Sequence, residues 1–432
     1  MKDRELPFEQ HQKIAVVSHS HPDLTKGGAE VAAYALYRAL RNIGRPTIFV
    51  ASCLEEDVTR VEPRPGEYLL PRDPDPNYYD HFYHLAAGNS ANQLRDLLTL
   101  LEVDVVNFHH FYNVGLNSIT ALRGLDIRVV LTLHEYLAIC HHHGQMVTRP
   151  QKNLCHASSR IACQTCFPEL HGEEFEIRKF KFLNAFDYID HFISPSHFLK
   201  QRFSNWGIDQ DRISVIENGL AGLEEKLASS EPRSANEQTE RQLTIGYFGQ
   251  ITPFKGVGVI LDVIEKVQAK INASENPINQ PPYRFVVHGN LVGLEEAFVD
   301  RFRALEEKTS MLQFKGPYAN SDVITLMHAC DYVIVPSQWW ENSPVVIQEA
   351  YAAECPVIAS NLGGLAEKVI DGVSGLTFRV GDAESLMAVL GEASKPEVLE
   401  KLRASLPKVP GASEMASAYL EVFGCLSENT GV

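Results

Sequence analysis

The chain has 432 residues, with 39 Lys and Arg against 55 Asp and Glu and a net charge of −16, which excludes a whole-molecule attraction to nucleic-acid phosphates. An apolar share of 44% and a charged share of 22% are those of a globular protein with sizeable cores rather than of a disordered one, and at roughly 100 to 200 residues per domain the length predicts two to four domains, two being the starting expectation. No apolar run approaches the roughly 18 residues of a membrane-spanning helix, and the polar start MKDRELPFEQHQK lacks the apolar core of a signal peptide, so a cytoplasmic location is expected.

The first apolar run, Ile14 to Val17, is short and continuous, as a strand buried on both faces should be. After a loop with Gly27 and Gly28, Leu36, Leu40 and Ile43 share one helical face, so Ala29 to Asn42 reads as an amphipathic helix closed by Gly44 and Pro46. Strands follow at Thr47 to Val50, Val105 to Phe108, Val129 to Leu133 and Phe192 to Ile193, with helical stretches between them. This alternation predicts a parallel α/β sheet. Leu223 to Gln242 is nearly free of large apolar side chains and reads as a solvated linker. The pattern restarts at Leu243 to Phe248, continues through a helix with Ile260, Val263, Ile264 and Val267 on one face, and returns as strands at Phe285 to Val287, Leu312 to Phe314, Tyr332 to Val335, Val357 to Ala359 and Leu376 to Phe378. The domains expected are therefore 1–222, a linker 223–242, a second α/β domain 243–412, and a final helical stretch 413–432 that periodicity alone assigns to neither. Ligands of open parallel sheets sit beyond the carboxyl ends of the strands, which makes the space between two such domains the expected site.

The densest chemical signal is PSQWWENSPVVIQEAYAAECPVIASNLGGLAEKV, Pro336 to Val369. Glu341 and Glu349 are separated by seven residues, with Asn342 and Ser343 as cap-type residues and Pro344 suited to the first helical position. A helix start there would offer free N–H groups to a phosphate, and the carboxylates could accept from sugar or ribose hydroxyls. The bland alternative is that Glu341 only favours the helix dipole and Glu349 is a solvated helical residue.

These residues resemble the retaining glycosyltransferases of family 4, marked by Glu, seven residues, Glu, then P-V-I and G-G, here Glu341, Glu349, Pro356, Val357, Ile358, Gly363 and Gly364. GGAE (Gly27 to Glu30), LTLHE (Leu131 to Glu135), ISPS (Ile193 to Ser196), ENG (Glu217 to Gly219), GYFGQITPFKG (Gly246 to Gly256) and DGVSGLTF (Asp371 to Phe378) extend the resemblance over most of the chain. It implies a GT-B fold, two Rossmann-like α/β domains facing a central cleft, with the last helix crossing back onto the first domain. It also implies hexosyl transfer from a UDP- or GDP-sugar to a glycan or lipid-linked acceptor, in cell-surface polysaccharide or glycolipid assembly.

By the same resemblance, Glu341 holds donor-sugar hydroxyls and Glu349 the ribose. Lys255 neutralises the departing diphosphate, while Asn342, Ser343, Pro344, Val345 and Gln250 line the donor. Gly27 and Gly28 approach the donor phosphate or the acceptor, and His134 stands near the reacting sugar. His109 and His110 are acceptor-side candidates. Two positions depart from the family: Gln250 stands where Arg is usual, and Glu354 where Gly is usual. No cofactor is expected for catalysis. Rival readings are a non-catalytic sugar-nucleotide-binding protein and a sugar-nucleotide epimerase of the same fold.

An insertion at about 136–168 carries Cys140, Cys155, Cys163 and Cys166, with His141 to His143 and His156 nearby. A C-x-x-C pair with two upstream cysteines suits a four-thiolate structural zinc, and the alternatives are four buried thiols or a disulfide. Arg178 to Phe192 mixes basic and aromatic residues at helical spacing. It reads either as a peripheral contact with anionic membrane or as a core helix with a solvated basic start.

Overall fold

The structure is a computed structural model that describes residues 12–25, 27–72, 89–149, 151–230, 242–273 and 283–425. The polar start up to residue 11, most of the predicted linker (231–241) and residues 426–432 lie outside the described residues. The chain divides into two compact units, Met1–Ala221 together with Pro410–Val432, and Gly222–Val409.

In the first unit the elements run β1 (Ile14–Ser18), α1 (Gly28–Asn42), β2 (Thr47–Leu54), β3 (Glu67–Arg72), α2 (Ser90–Leu100), β4 (Val105–Phe108), α3 (Asn117–Thr120), β5 (Arg128–Thr132), α4 (Arg160–Cys166), α5 (Gly172–Phe186), β6 (His191–Ser194), α6 (His197–Trp206) and β7 (Ile213–Val215). The strands form one seven-stranded sheet in the order β3-β2-β1-β4-β5-β6-β7, parallel at every pairing. This is the Rossmann order, in which the chain reverses direction beside β1 and leaves its loops open at the carboxyl ends of β1 and β4. β1 is buried along its whole length because helices cover both faces of the sheet.

The edge strands β3 and β7 escape the sequence reading. β3 contains Pro71, a residue that argues against a strand except at an edge, where its missing N–H faces no partner. β7 has only three residues, too few for a period to show.

The second unit runs α7 (Leu223–Ser229), β8 (Leu243–Phe248), α8 (Val257–Ala273), β9 (Tyr283–His288), α9 (Glu296–Lys308), β10 (Leu312–Gly316), α10 (Val323–His328), β11 (Tyr332–Val335), α11 (Val345–Ala352), β12 (Val357–Ser360), α12 (Gly363–Lys368), β13 (Gly375–Phe378), α13 (Ala383–Ala393) and α14 (Pro396–Ala404). Its six strands order as β10-β9-β8-β11-β12-β13, the same doubly wound pattern, so the switch point falls between β8 and β11. The stretch Leu223–Ser229, read from sequence as linker, is a short helix of the second unit, and its side chain Lys226 pairs with Glu349 there, as described below.

The last helix, α15 (Ala412–Cys425), belongs to the first unit. Met415, Ala416, Tyr419 and Phe423 are buried in one cluster with Ala33, Tyr37 and Leu40 of α1 and Val105 of β4. Burial of such side chains contributes roughly 1.5 to 3 kcal/mol each, ample to hold a helix that periodicity left without a home. α5 corrects another expectation: Arg178, the supposed solvated basic start, is 3% exposed. Its guanidinium donates to the carbonyls of Leu137 and Ala138 and covers the Phe182 ring at 4.5 Å, which makes α5 a core helix.

Candidate active site

In the second unit the loop after β11 carries Glu341, 9% exposed. One carboxylate oxygen accepts from Lys255 Nζ at 2.6 Å, Ser337 Oγ at 2.7 Å and Trp339 Nε1 at 2.8 Å. The Lys255 ammonium also lies 5.3 Å from the Trp339 ring centroid, and that ring stacks on Phe254. Two glycines make the arrangement possible. Gly256 has φ +75, and a Cβ there would fall 1.8 Å from the Pro336 carbonyl oxygen, so only glycine lets the Lys255 loop rest on the exit of β11. A Cβ on Gly364 would fall 2.2 Å from the Asn342 carbonyl and 2.6 Å from that of Glu341, so the start of α12 presses against the Glu341 backbone. Lys255 and Glu341, 86 positions apart, thus form one ion pair at the carboxyl ends of β8 and β11.

Glu349 is 5% exposed, not a solvated helical residue. One of its oxygens accepts from Asn320 Nδ2 at 2.9 Å and pairs with Lys226 Nζ at 3.4 Å. The helix start also differs from expectation. α11 begins at Val345 with Pro344 as its N-cap and no side-chain cap bond, so neither Asn342 nor Ser343 caps it. The reason is that Pro344 takes ψ 119, an extended value that ends the loop one residue later than the spacing suggested. Among the described residues the buried Ser343 hydroxyl has no hydrogen-bond partner. Ser343 precedes the first turn of α11 by two residues, where the Ile347 N–H donates to the Pro344 carbonyl. Gln250 is exposed, and its carbonyl accepts from Tyr247 Oη at 2.7 Å. Glu354 takes φ +52, the left-handed turn in which the family's glycine costs nothing and a side chain roughly 1 to 2 kcal/mol. Ser337, Trp339, Asn320 and Lys226 were not singled out from sequence. The first two lie within the quoted motif, while nothing local marks the others.

The first unit gathers its candidates at the carboxyl ends of β1, β4 and β5. Gly27 is the N-cap of α1, and open space surrounds the position of a Cβ on Gly28. Glu30, in the first turn, accepts from Thr25 Oγ1 at 2.6 Å and pairs with His19 Nε2 at 3.3 Å. Burial pushes its carboxyl up, but the His19 bond and charge prevail and hold it at about 2. His109 Nδ1 and His134 Nε2 are 2.9 Å apart, and His110 Nε2 faces Glu135 Oε1 at 3.4 Å. His19, Glu30 and Glu135 join this cluster without having been assigned a role from sequence, although two of them sit in quoted motifs.

Two family models match in succession. "Glycosyltransferase Family 4" covers residues 26–221, and "Glycosyl transferases group 1" covers residues 229–407. The chain belongs to glycosyltransferase family 4. Among curated relatives, the D-inositol 3-phosphate glycosyltransferase of Corynebacterium glutamicum is 29% identical over 40% of this chain and 41% of that protein. The lipopolysaccharide 1,2-N-acetylglucosaminetransferase of Salmonella typhimurium is 27% identical over 42% of this chain and 47% of that protein. The aligned stretch thus spans less than half the length of either relative. Among solved structures, a glycosyltransferase from Rickettsia africae superimposes with TM-score 0.67 at 18% identity, covering 98% of this chain and 100% of that one. Anabaena HepE, crystallised with UDP, does so with TM-score 0.64 at 16% identity, covering 96% and 100%. The fold of this family 4 chain is GT-B, two Rossmann-like α/β domains.

The histidine cluster of the first unit carries a defined pH response. Glu135, a third of whose side chain reaches solvent, accepts the Leu137 N–H, yet desolvation pushes it up to about 8. Desolvation and neighbouring charge take His134 down to about 4 and hold His109 and His110 well below the usual range. A carboxyl raised in the folded state stabilises the fold at low pH and loses that contribution as pH rises from about 4.5 to about 8. The depressed histidines act oppositely, losing theirs as pH falls from about 6.5 towards about 4. The melting temperature is therefore expected to drop on acidification below about pH 6.5, and on the alkaline side Glu135→Gln should remove part of the decline towards about pH 8. Scanning calorimetry across that range checks both, and a variant with the wild-type slope contradicts the Glu135 assignment.

The cysteine insertion of this family member folds around one small cavity of about 40 Å3 that Cys140, Cys155, Cys163 and Cys166 all line, with His141, Met146 and Phe167. None of the four is in a disulfide. The Arg149 N–H donates to Cys166 Sγ at 3.2 Å, and backbone N–H groups of His142 and Met146 face the Cys140 sulfur. Among the described residues no group of three or more His, Cys, Asp or Glu is set to hold a metal ion.

Proposed function

We propose that this chain transfers a sugar from a nucleoside diphosphate sugar, UDP- or GDP-linked, to an acceptor hydroxyl with retention of anomeric configuration. The observation that carries the reading is the pair of half-buried Lys255 and buried Glu341 with Ser337 and Trp339, held beside the starts of α11 and α12. An ammonium and two helix starts supply positive potential for a diphosphate, and a carboxylate oriented by three donors suits a sugar diol. In this reading Glu349 takes the ribose hydroxyls, exchanging Lys226 for them. The acceptor oxygen attacks the face that the leaving group departs from. The C1–O bond to phosphate breaks as the new C1–O bond forms, and the acceptor proton passes to the departing phosphate oxygen. The protein orients both partners and stabilises the charge that builds on the diphosphate, with Lys255 and the N–H groups of α11 meeting it.

The UDP of the HepE crystals and the saccharide relatives support a sugar-nucleotide donor and an acceptor in polysaccharide or glycolipid assembly. No helix among the described residues is long and apolar enough to cross a membrane. A peripheral contact would use Ile177 and Phe180, exposed at 45% and 71% on α5, next to Lys179 and Lys181. Incubation with a panel of UDP- and GDP-sugars and glycan or glycolipid acceptors, followed by NMR of the product's anomeric centre, tests the reading. The expected product keeps the donor's configuration, and inversion or an epimerised free nucleotide sugar would refute it.

The four-cysteine pocket belongs to the same proposal as a structural zinc site. Four thiols around one cavity, none of them in a disulfide and two of them facing backbone N–H donors, suit tetrahedral thiolate ligation once their side chains turn inward. Protein purified without chelator is expected to carry about one zinc per chain and to melt lower after strong chelation. Zinc well below that ratio, or disulfides between these cysteines in the purified protein, would contradict it.

A further inference from the structure

His109 and His134 follow adjacent parallel strands, β4 and β5, and meet through a single hydrogen bond between His109 Nδ1 and His134 Nε2, with ring planes 27° apart. His109 is 1% exposed and lies nearly parallel to the Tyr419 ring of α15, centroids 6.3 Å apart at 8°. Tyr419 is itself fully buried and within 3.3 Å of Thr132 Oγ1. Among the described residues the buried Nε2 of His109 has no hydrogen-bond partner.

That orphan atom decides where the protons are. A neutral imidazole carries one N–H, so the shared bond is donated by one ring only. If His134 Nε2–H donated, the His109 proton would sit on Nε2, a buried N–H without an acceptor. Buried unpaired N–H groups are rarer and costlier than unpaired acceptors. If instead His109 Nδ1–H donates, its Nε2 is bare and His134 accepts on Nε2. A doubly protonated His109 is excluded by its complete burial, which keeps it neutral near pH 7. We infer that His109, held against Tyr419 of the last helix, is a positioning residue that fixes His134 as the Nδ1–H tautomer. Tyr419 of α15 thereby braces the ring whose unpartnered Nε2 sets the proton of His134. This inference rests on the glycosyltransfer reading for the importance of His134, but not for the tautomer.

NMR of the full chain labelled with 15N-histidine, near neutral pH, reads the tautomer directly. The expected wild-type spectrum shows His134 protonated on Nδ1 and bare on Nε2. His109→Asn, whose amide can replace the Nδ1 donor, should keep that tautomer and transfer within about threefold. His109→Phe keeps a ring against Tyr419 but donates nothing. It should shift His134 towards Nε2–H and lower kcat about tenfold, with the donor KM within about twofold. A wild-type His134 protonated on Nε2, or a His109→Phe variant with unchanged tautomer and kcat, would overturn the inference. Should His109→Phe fail to fold, the wild-type spectrum and His109→Asn still decide. His134→Ala separates the two readings: unimpaired transfer in that variant would refute the role of His134 while leaving the tautomer result standing.

Discussion

Replacement of Lys255 by Ala is expected to cut kcat by about 10 to 150-fold, the equivalent of a charge-assisted hydrogen bond of roughly 1.5 to 3 kcal/mol. The loss has two physical sources. The ammonium meets negative charge that grows as the diphosphate departs, an interaction stronger in the transition state than in the bound donor. It also holds Glu341 Oε1 at 2.6 Å, and without it that carboxylate keeps only Ser337 and Trp339. Binding of bare nucleoside should change little, because nucleoside carries no phosphate. Steady-state kinetics with equilibrium binding on the same variant separates the effects, and transfer within twofold of wild type would show Lys255 to be an ordinary loop residue.

The paired glutamates give the second large effect. Glu341→Gln is expected to reduce transfer about tenfold or more through lost orientation of the reacting sugar, while affinity for free nucleoside diphosphate, which has no sugar hydroxyls, stays within about twofold. Glu349→Gln is expected to weaken free diphosphate and donor alike by about tenfold or more, since a ribose diol loses a charged acceptor in both. Both carboxylates are nearly buried and each pairs with a lysine, so each variant controls for the folding cost of the other. Equal losses of diphosphate affinity in the two would contradict the division of labour.

The motif residues were legible because their spacing is local: Glu341 and Glu349 flank one loop and one helix, and the glycines at 256 and 364 stand where a methyl would strike backbone oxygens. The alternation of short apolar runs with amphipathic helices likewise gave both sheets. What sequence could not show were relations across long separations. Lys226 reaches Glu349 across 123 positions, and Tyr419 reaches Thr132 across 287. The edge strands β3 and β7 lacked a readable period, and Arg178 looked solvated because its partners, two backbone carbonyls forty and forty-one residues earlier, leave no mark in side-chain pattern. The late start of α11 had a similar cause. Pro344 suits either the cap or the first turn, and only its backbone angle distinguishes them.

The central claim is that the second unit binds a nucleoside diphosphate through Glu349 and the Lys255 loop. Calorimetric titration of the wild-type chain with UDP, GDP and ADP tests it most directly. One of the three is expected to bind with 1:1 stoichiometry, and Glu349→Gln to weaken it about tenfold or more. Absence of binding by all three, or undiminished affinity in Glu349→Gln, would contradict the account.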